Sequence, residues 1–195
     1  MFTGIIETIG EIIDIKIDGT NKHFTIKSAI SASLKIDQSV AHNGVCLTVI
    51  ALGEGTHTVT AIQETLSVTA LNTWKKGSFV NLERCVALNG RLDGHLVQGH
   101  VDTVATCTSI NEQNGSWLFE FAYPEHAGHV TVPKGSITVN GTSLTVVKSE
   151  PGLFSVAIIP YTFEHTVFKF LQTNEQVNIE FDIIGKYVAR LMHQS

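Results

Sequence analysis

Two segments of the chain present the same small set of polar side chains. Asn43–Val49 reads NGVCLTV and Asn140–Val146 reads NGTSLTV. In an extended chain alternate residues share a face, which sets Cys46 and Thr48 opposite Leu47 and Val49. It likewise sets Ser143 and Thr145 opposite Leu144 and Val146. A thiol or hydroxyl beside a second hydroxyl supplies hydrogen-bond donors, acceptors and a weak nucleophile, a set suited to a polar heterocycle. Ordinary alternation with a solvated face would look the same in one copy, and the recurrence argues for a site. A second segment, Gly94-His95-Leu96-Val97-Gln98-Gly99-His100, holds two histidines, the side-chain acid–base suited to neutral pH. Five residues apart in a strand they face opposite sides, so a shared metal is not expected unless a bulge intervenes. His126-x-x-His129, after Tyr-Pro, reads as a loop pair. The chain has no GxGxxG opening a helix, no Walker loop, no GxSxG elbow and no HExxH.

The elements that must position these groups are visible in an internal duplication. SVAHNGVCLTV from Ser39 matches SITVNGTSLTV from Ser136 at an offset of 97. At the same offset Gln63–Leu66 faces Pro160–Phe163, with Thr65 and Thr162 in register, and Val80–Glu83 matches Val177–Glu180. Gly4–Thr8 matches Gly99–Thr103 at an offset of 95. Matches in the same order imply two homologous halves. Each half carries an Asn-Gly pair between apolar runs, the strongest short hairpin signal, because type I′ turns need positive φ at both central residues. Six or so short strands per half predict a small antiparallel barrel or sandwich, and a barrel would remove exposed strand edges. The duplication also exposes two asymmetries: His100 stands opposite Ile5, and Cys46 opposite Ser143. A duplicated protein with a titratable group on one side only has specialised that side.

Composition agrees. Val, Ile and Thr number 19, 19 and 21, residues that pack well on pleated surfaces, and 16 Gly against 4 Pro suits many tight turns. Only Ile183–Gln194 reads as helical, with Ile184, Val188 and Leu191 on one face, and it is too short to be stable unpacked. A net charge of −5 argues against nucleic acid as the main partner. The longest uncharged stretch, Gln38–Gly53, is too short and too polar to span a membrane. The opening MFTGIIETIGE lacks a basic leader and a small-residue cleavage site, and three cysteines without CxxC spacing read as free thiols. A soluble cytoplasmic location is expected.

MFTGIIE at the start, the NGVCLTV and NGTSLTV pair, GHLVQGHVDT and FDIIGKYVARLMH together resemble riboflavin synthase of the α-chain type, from Met1 to about His193. The resemblance implies an all-β fold of two tandem six-stranded antiparallel Greek-key barrels, a lumazine-binding barrel over residues 1–95 and a second over 96–182. A C-terminal helix over 183–195 would gather three chains into a homotrimer with active sites between subunits. The family's reaction is a dismutation of two 6,7-dimethyl-8-ribityllumazine molecules to riboflavin and 5-amino-6-(ribitylamino)pyrimidinedione, with no metal, flavin or nicotinamide cofactor.

Carried over residue by residue, the resemblance implies a first-barrel pocket of Gly4, Ile5, Ile6, Ser39, Cys46, Leu47, Thr48, Thr60, Ala61, Ile62, Gln63, Glu64 and Thr65. The second would use Gly99, His100, Val101, Lys134, Ser143, Leu144, Thr145, Ala157, Ile158, Ile159, Pro160, Tyr161, Thr162 and Asp182. Backbone groups with Ser, Thr and Cys side chains would bind the ring, and Lys134 and Asp182 the ring or ribityl chain. His100 would assist proton transfer, with Cys46 and Ser143 as nucleophile or relay. Asn140 stands where the family commonly has Asp, which implies weaker activity if that carboxylate takes part in catalysis. Two rivals share the barrel: a non-catalytic lumazine antenna, which would lack the GH…GH segment, and a reductase-type FAD barrel, which would need an α/β nicotinamide domain.

Overall fold

The β-branched, alternating segments form twelve strands in the computed structural model, which describes residues 1–126 and 128–192. In the first half, β1 (Thr8–Asp18), β2 (Asn21–Lys27), β3 (Ser39–His42), β4 (Val45–Gly53), β5 (Thr56–Ala61) and β6 (Phe79–Arg84) close a barrel in the order β1-β2-β5-β4-β3-β6. In the second, β7 (Thr103–Glu112), β8 (Trp117–Ala122), β9 (Ser136–Val139), β10 (Thr142–Glu150), β11 (Leu153–Ile158) and β12 (Gln176–Phe181) close in the same cyclic order. β2 pairs with β5 and β3 with β6, both antiparallel, a Greek-key crossing. Bulges that let a closing sheet bend recur at matching places, between Val49 and Ala51 and between Val146 and Lys148.

The turns are those the Asn-Gly pairs predict. Asn43 and Gly44 have φ of 45° and 79°, and Asn140 and Gly141 have 45° and 80°. Helices are more numerous than expected. Beside the tail, α1 (Gln63–Val68) and α2 (Pro160–His165) follow β5 and β11. Six residues make fewer than two turns, too few for an apolar period to register in the sequence. Pro160 opens α2 with φ already set, and the hydroxyls of Thr69 and Thr166 close the two helices by donating to Thr65 O and Thr162 O at 2.6 and 2.7 Å. The tail helix is α3 (Ile183–Met192), none of whose residues is buried; its expected last residues, 193 and 194, lie outside the described ones. No helix among the described residues is long and apolar enough to cross a membrane.

Inward residues fill each barrel. Ile12, Phe24, Ile26, Val49, Val59 and Leu82 form the first core, whereas Phe119, Phe121, Phe154, Phe168 and Phe181 make the second strongly aromatic. The first barrel also encloses a histidine pair. His42 Nε2 lies 2.9 Å from His57 Nε2, His42 Nδ1 lies 3.0 Å from Val40 O, and Ser31 Oγ lies 2.8 Å from His57 Nδ1. Because a carbonyl only accepts, His42 carries its proton on Nδ1, so His57 Nε2–H donates to His42 and Ser31 O–H donates to His57. With both rings protonated the two Nε2–H groups would face each other and the bond between them would be lost. The second barrel has Val139 and Phe154 at the matching positions.

Burial drives both rings down from 6.5, His42 to about 3 and His57 to about 4, and the charge of His57 adds to the fall at His42. The unfolded chain therefore takes up protons first as pH falls. The stability these neutral rings confer is whole above pH 6.5 and drains away between 6.5 and about 3. Urea midpoints measured across that range should fall steadily, and the double variant His42→Val with His57→Phe should flatten the dependence. An unchanged slope in that variant would place the acid sensitivity elsewhere.

Candidate active site

Each barrel is preceded by an extended leader, residues 2–7 and 97–102. The leaders pair with each other, Phe2 N donating to Val97 O at 2.7 Å and Val97 N to Phe2 O at 3.2 Å. A buried carboxylate of its own barrel grips each leader. Glu83 Oε1 accepts from Thr3 N and Thr3 Oγ1 at 2.6 and 2.7 Å, and Oε2 from Gly4 N at 3.0 Å. Glu180 Oε1 accepts from Gln98 N at 2.6 Å, and Oε2 from Gly99 N and His100 N, both at 2.9 Å.

On its other side each leader touches the opposite barrel. Ser143 N donates to Gly4 O at 2.8 Å, and Cys46 N donates to Gly99 O at 2.9 Å. Both glycines are required. Their φ angles are +76° and +79°, and a Cβ would fall 2.6 Å from Ser143 Cβ or 2.7 Å from Cys46 Cβ. The expected partition is therefore corrected: Gly4 belongs with Ser143, and Gly99 with Cys46. Val101 likewise packs on the first barrel's core. The repeat register cannot reveal this exchange, because an extended leader reads the same whichever barrel it crosses to.

The two hairpins present their side chains as the alternation predicts. Ser39 pairs with Thr48 and Ala41 with Cys46, and in the second barrel Ser136 pairs with Thr145 and Thr138 with Ser143. Leu47 and Val49 are buried, Cys46 is half-buried and Thr48 exposed. Burial pushes the Cys46 thiol upward, against the hydrogen bond from Ser39, so it stays protonated at neutral pH.

The histidine segment departs from expectation. Gly94–His100 is no strand; it joins only the bridge between Phe2 and Val97. His95 turns to the second barrel, with Nδ1 2.6 Å from Ser143 Oγ and Nε2 3.1 Å from Thr138 Oγ1. Burial lowers its basicity while the charge of Asp182 opposes. A neutral imidazole thus links two hydroxyls. His100 is exposed and is held through its backbone N–H. His126 and His129 lie at the rim of a cavity of about 590 Å³, with His129 stacked on Phe181 at 4.8 Å.

The remaining expected residues fall at matching corners. Thr60 and Ala61 end β5, and Ile62 leads into Gln63, Glu64 and Thr65 of α1. Ala157 and Ile158 end β11, and Ile159 leads into Pro160, Tyr161 and Thr162 of α2. Ala61 and Ile158 point into the barrels, so only their backbone is available, and Thr60 Oγ1 is 2.8 Å from His23 Nδ1. Lys134 is exposed, and Asp182 Oδ1 accepts from Ile184 N at 3.0 Å, capping α3.

Asn140 is not among these groups. It is 5% exposed between the barrels, where its Oδ1 accepts from Asn178 N at 2.9 Å. An amide serves that bond as well as a carboxylate would. Asn81, Asn178, Glu83 and Glu180 went unassigned in the sequence although a signal was present: Asn-x-Glu recurs at one register, between apolar residues, in two matching strands. His95 had no such signal, having no counterpart in the first half.

The lumazine binding domain model matches residues 3–85 and again 98–182. Over its whole length the chain is 41% identical to a riboflavin synthase of Bacillus subtilis (strain 168), covering 91% of that protein. It is 39% identical to that of Mycobacterium bovis, with all of both chains covered. In fold it matches the crystal structure of LumP complexed with 6,7-dimethyl-8-(1'-D-ribityl) lumazine at a TM-score of 0.84 and 21% identity, over 93% of this chain and 99% of that one. Fold and repeat together define a tandem lumazine-binding-domain protein. Within that class, the chain belongs to the riboflavin synthase family.

Gly99→Ala should force the second leader off Cys46 through both φ and the Cβ contact, weakening lumazine binding at least tenfold by fluorescence titration. Gly19→Ala, at φ +58° with nothing within 4 Å, should cost about 1 kcal/mol of stability and leave binding alone.

Proposed function

We propose that the chain is a riboflavin synthase that converts two molecules of 6,7-dimethyl-8-ribityllumazine into riboflavin and 5-amino-6-(ribitylamino)pyrimidinedione. The observation that carries this reading is the 41% identity to a riboflavin synthase across the entire chain. The geometry supports it: one substrate must meet a second copy of itself, and the chain has two homologous barrels with matching hairpins and strand-to-helix corners. The products contain all the atoms of two substrates, so the reaction needs no external oxidant or reductant. Transfer of the four-carbon unit requires the rings to lie in register, and holding them so supplies much of the rate.

The 7-methyl group is acidic because its carbanion delocalises into the ring, so weak acid–base groups suffice. His100, exposed on the leader against Cys46, assists proton transfer in the first pocket. Cys46, kept as a thiol, donates or relays a proton there. In the second pocket Ser143 does so with His95 behind it. Ser39, Thr48 and Thr145 with the backbone of the two strand-to-helix corners bind the rings, and Lys134 and Asp182 contact the ribityl chain.

The pockets meet across subunits of a cytoplasmic homotrimer. Ile184, Tyr187, Val188 and Leu191 of α3 are all exposed and supply an apolar stripe for that assembly.

The purified chain with 6,7-dimethyl-8-ribityllumazine and no cofactor should yield one riboflavin per two lumazines consumed, read by absorbance and fluorescence. Tight binding without turnover would sink the enzyme reading in favour of an antenna. His100→Gln should lower kcat at least tenfold with little change in lumazine affinity; an equal loss of both would remove His100 from the chemistry.

A further inference from the structure

We infer that Glu83 and Glu180 are positioning residues, each setting the pocket of the barrel to which it does not belong. The inference deepens the paired-pocket reading and rests on it. Both carboxylates are nearly inaccessible, at 4% and 2% exposure, and each accepts three hydrogen bonds from a leader. Neither touches the expected lining groups Cys46 or Ser143 directly. Both act through two residues of backbone.

The path is short. Glu180, on β12 of the second barrel, holds Gln98, Gly99 and His100, and Gly99 O receives the N–H of Cys46 in the first. Glu83, on β6 of the first barrel, holds Thr3 and Gly4, and Gly4 O receives the N–H of Ser143 in the second. A carboxylate is the group this demands, since every facing atom is a donor. A glutamine would turn an N–H₂ toward at least one of them, losing that bond and repelling its donor. Burial lifts both carboxyls upward against the pull of the backbone donors. The leaders lie close over the groups they face, as the glycine approaches to Ser143 and Cys46 record, so a loosened leader uncovers the thiol or hydroxyl beneath.

The native thiols provide the test. Cys46 lies under the second leader, Cys85 is exposed and Cys107 is fully buried in the second barrel, where only unfolding releases it. Iodoacetamide labelling of the full chain, with each cysteine followed by peptide mass, reads all three together. Glu180→Gln should speed Cys46 labelling at least tenfold while Cys107 stays protected, and Glu83→Gln should leave Cys46 at its original rate. In a Ser143→Cys chain the pattern should reverse, with Glu83→Gln opening the introduced thiol; this arm carries the test if Glu180→Gln fails to fold. Riboflavin turnover should fall at least tenfold in both glutamine variants. Equal exposure of Cys46 in the two variants, or its release together with Cys107, would overturn the inference by showing general destabilisation. If the unsubstituted chain makes no riboflavin while the glutamine variants show the crossed thiol pattern, the synthase reading alone is defeated.

Discussion

The two barrels meet where backbone meets backbone. Gly44 and Gly141 approach so closely that a Cβ on either would lie 2.8 or 2.7 Å from the other's amide nitrogen. Side chains cannot intervene there, so the polar groups around the turns must find partners nearby or lose the free energy of a buried unsatisfied group. Four asparagines meet that demand reciprocally. Asn81 Nδ2 donates to Asn140 O and Asn178 Nδ2 to Asn43 O, both at 2.9 Å, while Asn81 Oδ1 accepts from Val167 N and Asn178 Oδ1 from Ala70 N. These bonds set the separation of the barrels. The leaders can bridge the gap with one glycine each only because it is so small.

Within that symmetric frame the chemistry is unequal. The first barrel has a half-buried thiol under the leader that carries His100; the second has a hydroxyl bonded to His95. The interior differs as well, since the first barrel encloses neutral imidazoles where the second packs Val139 and Phe154. Equal scaffolds with unequal groups suit a reaction in which identical molecules must play different parts. The frame is shared, and the side chains set in it are free to differ.

Much of this was legible in the chain. The Asn-Gly pairs, the strand count, the alternation around Cys46 and Ser143 and the tail helix all rest on local periods and turn chemistry, which sequence records directly. What was hidden depended on long-range packing. The exchange of Gly4 and Gly99 involves residues with no period of their own. α1 and α2 are shorter than the window in which a helix announces itself. His95 was visible as a histidine, but its bond to Ser143 spans 48 residues of sequence. Asn140 shows the reverse: a family pattern directs attention to a missing charge, and its place between the barrels calls for a hydrogen-bond acceptor.

Reciprocal contacts of this kind, residue against matching residue in both directions, have the form of an isologous dimer whose subunits have been joined into one polypeptide. In a true dimer every substitution is made twice, so a change that improves one pocket is imposed on the other. Fusion removes that coupling while keeping the interface. Cys46 and Ser143 descend from one ancestral position, and only a covalent join allows that position to hold a thiol and a hydroxyl in the same molecule. The crossed leaders keep the halves interdependent in shape, and the duplication leaves them independent in heredity.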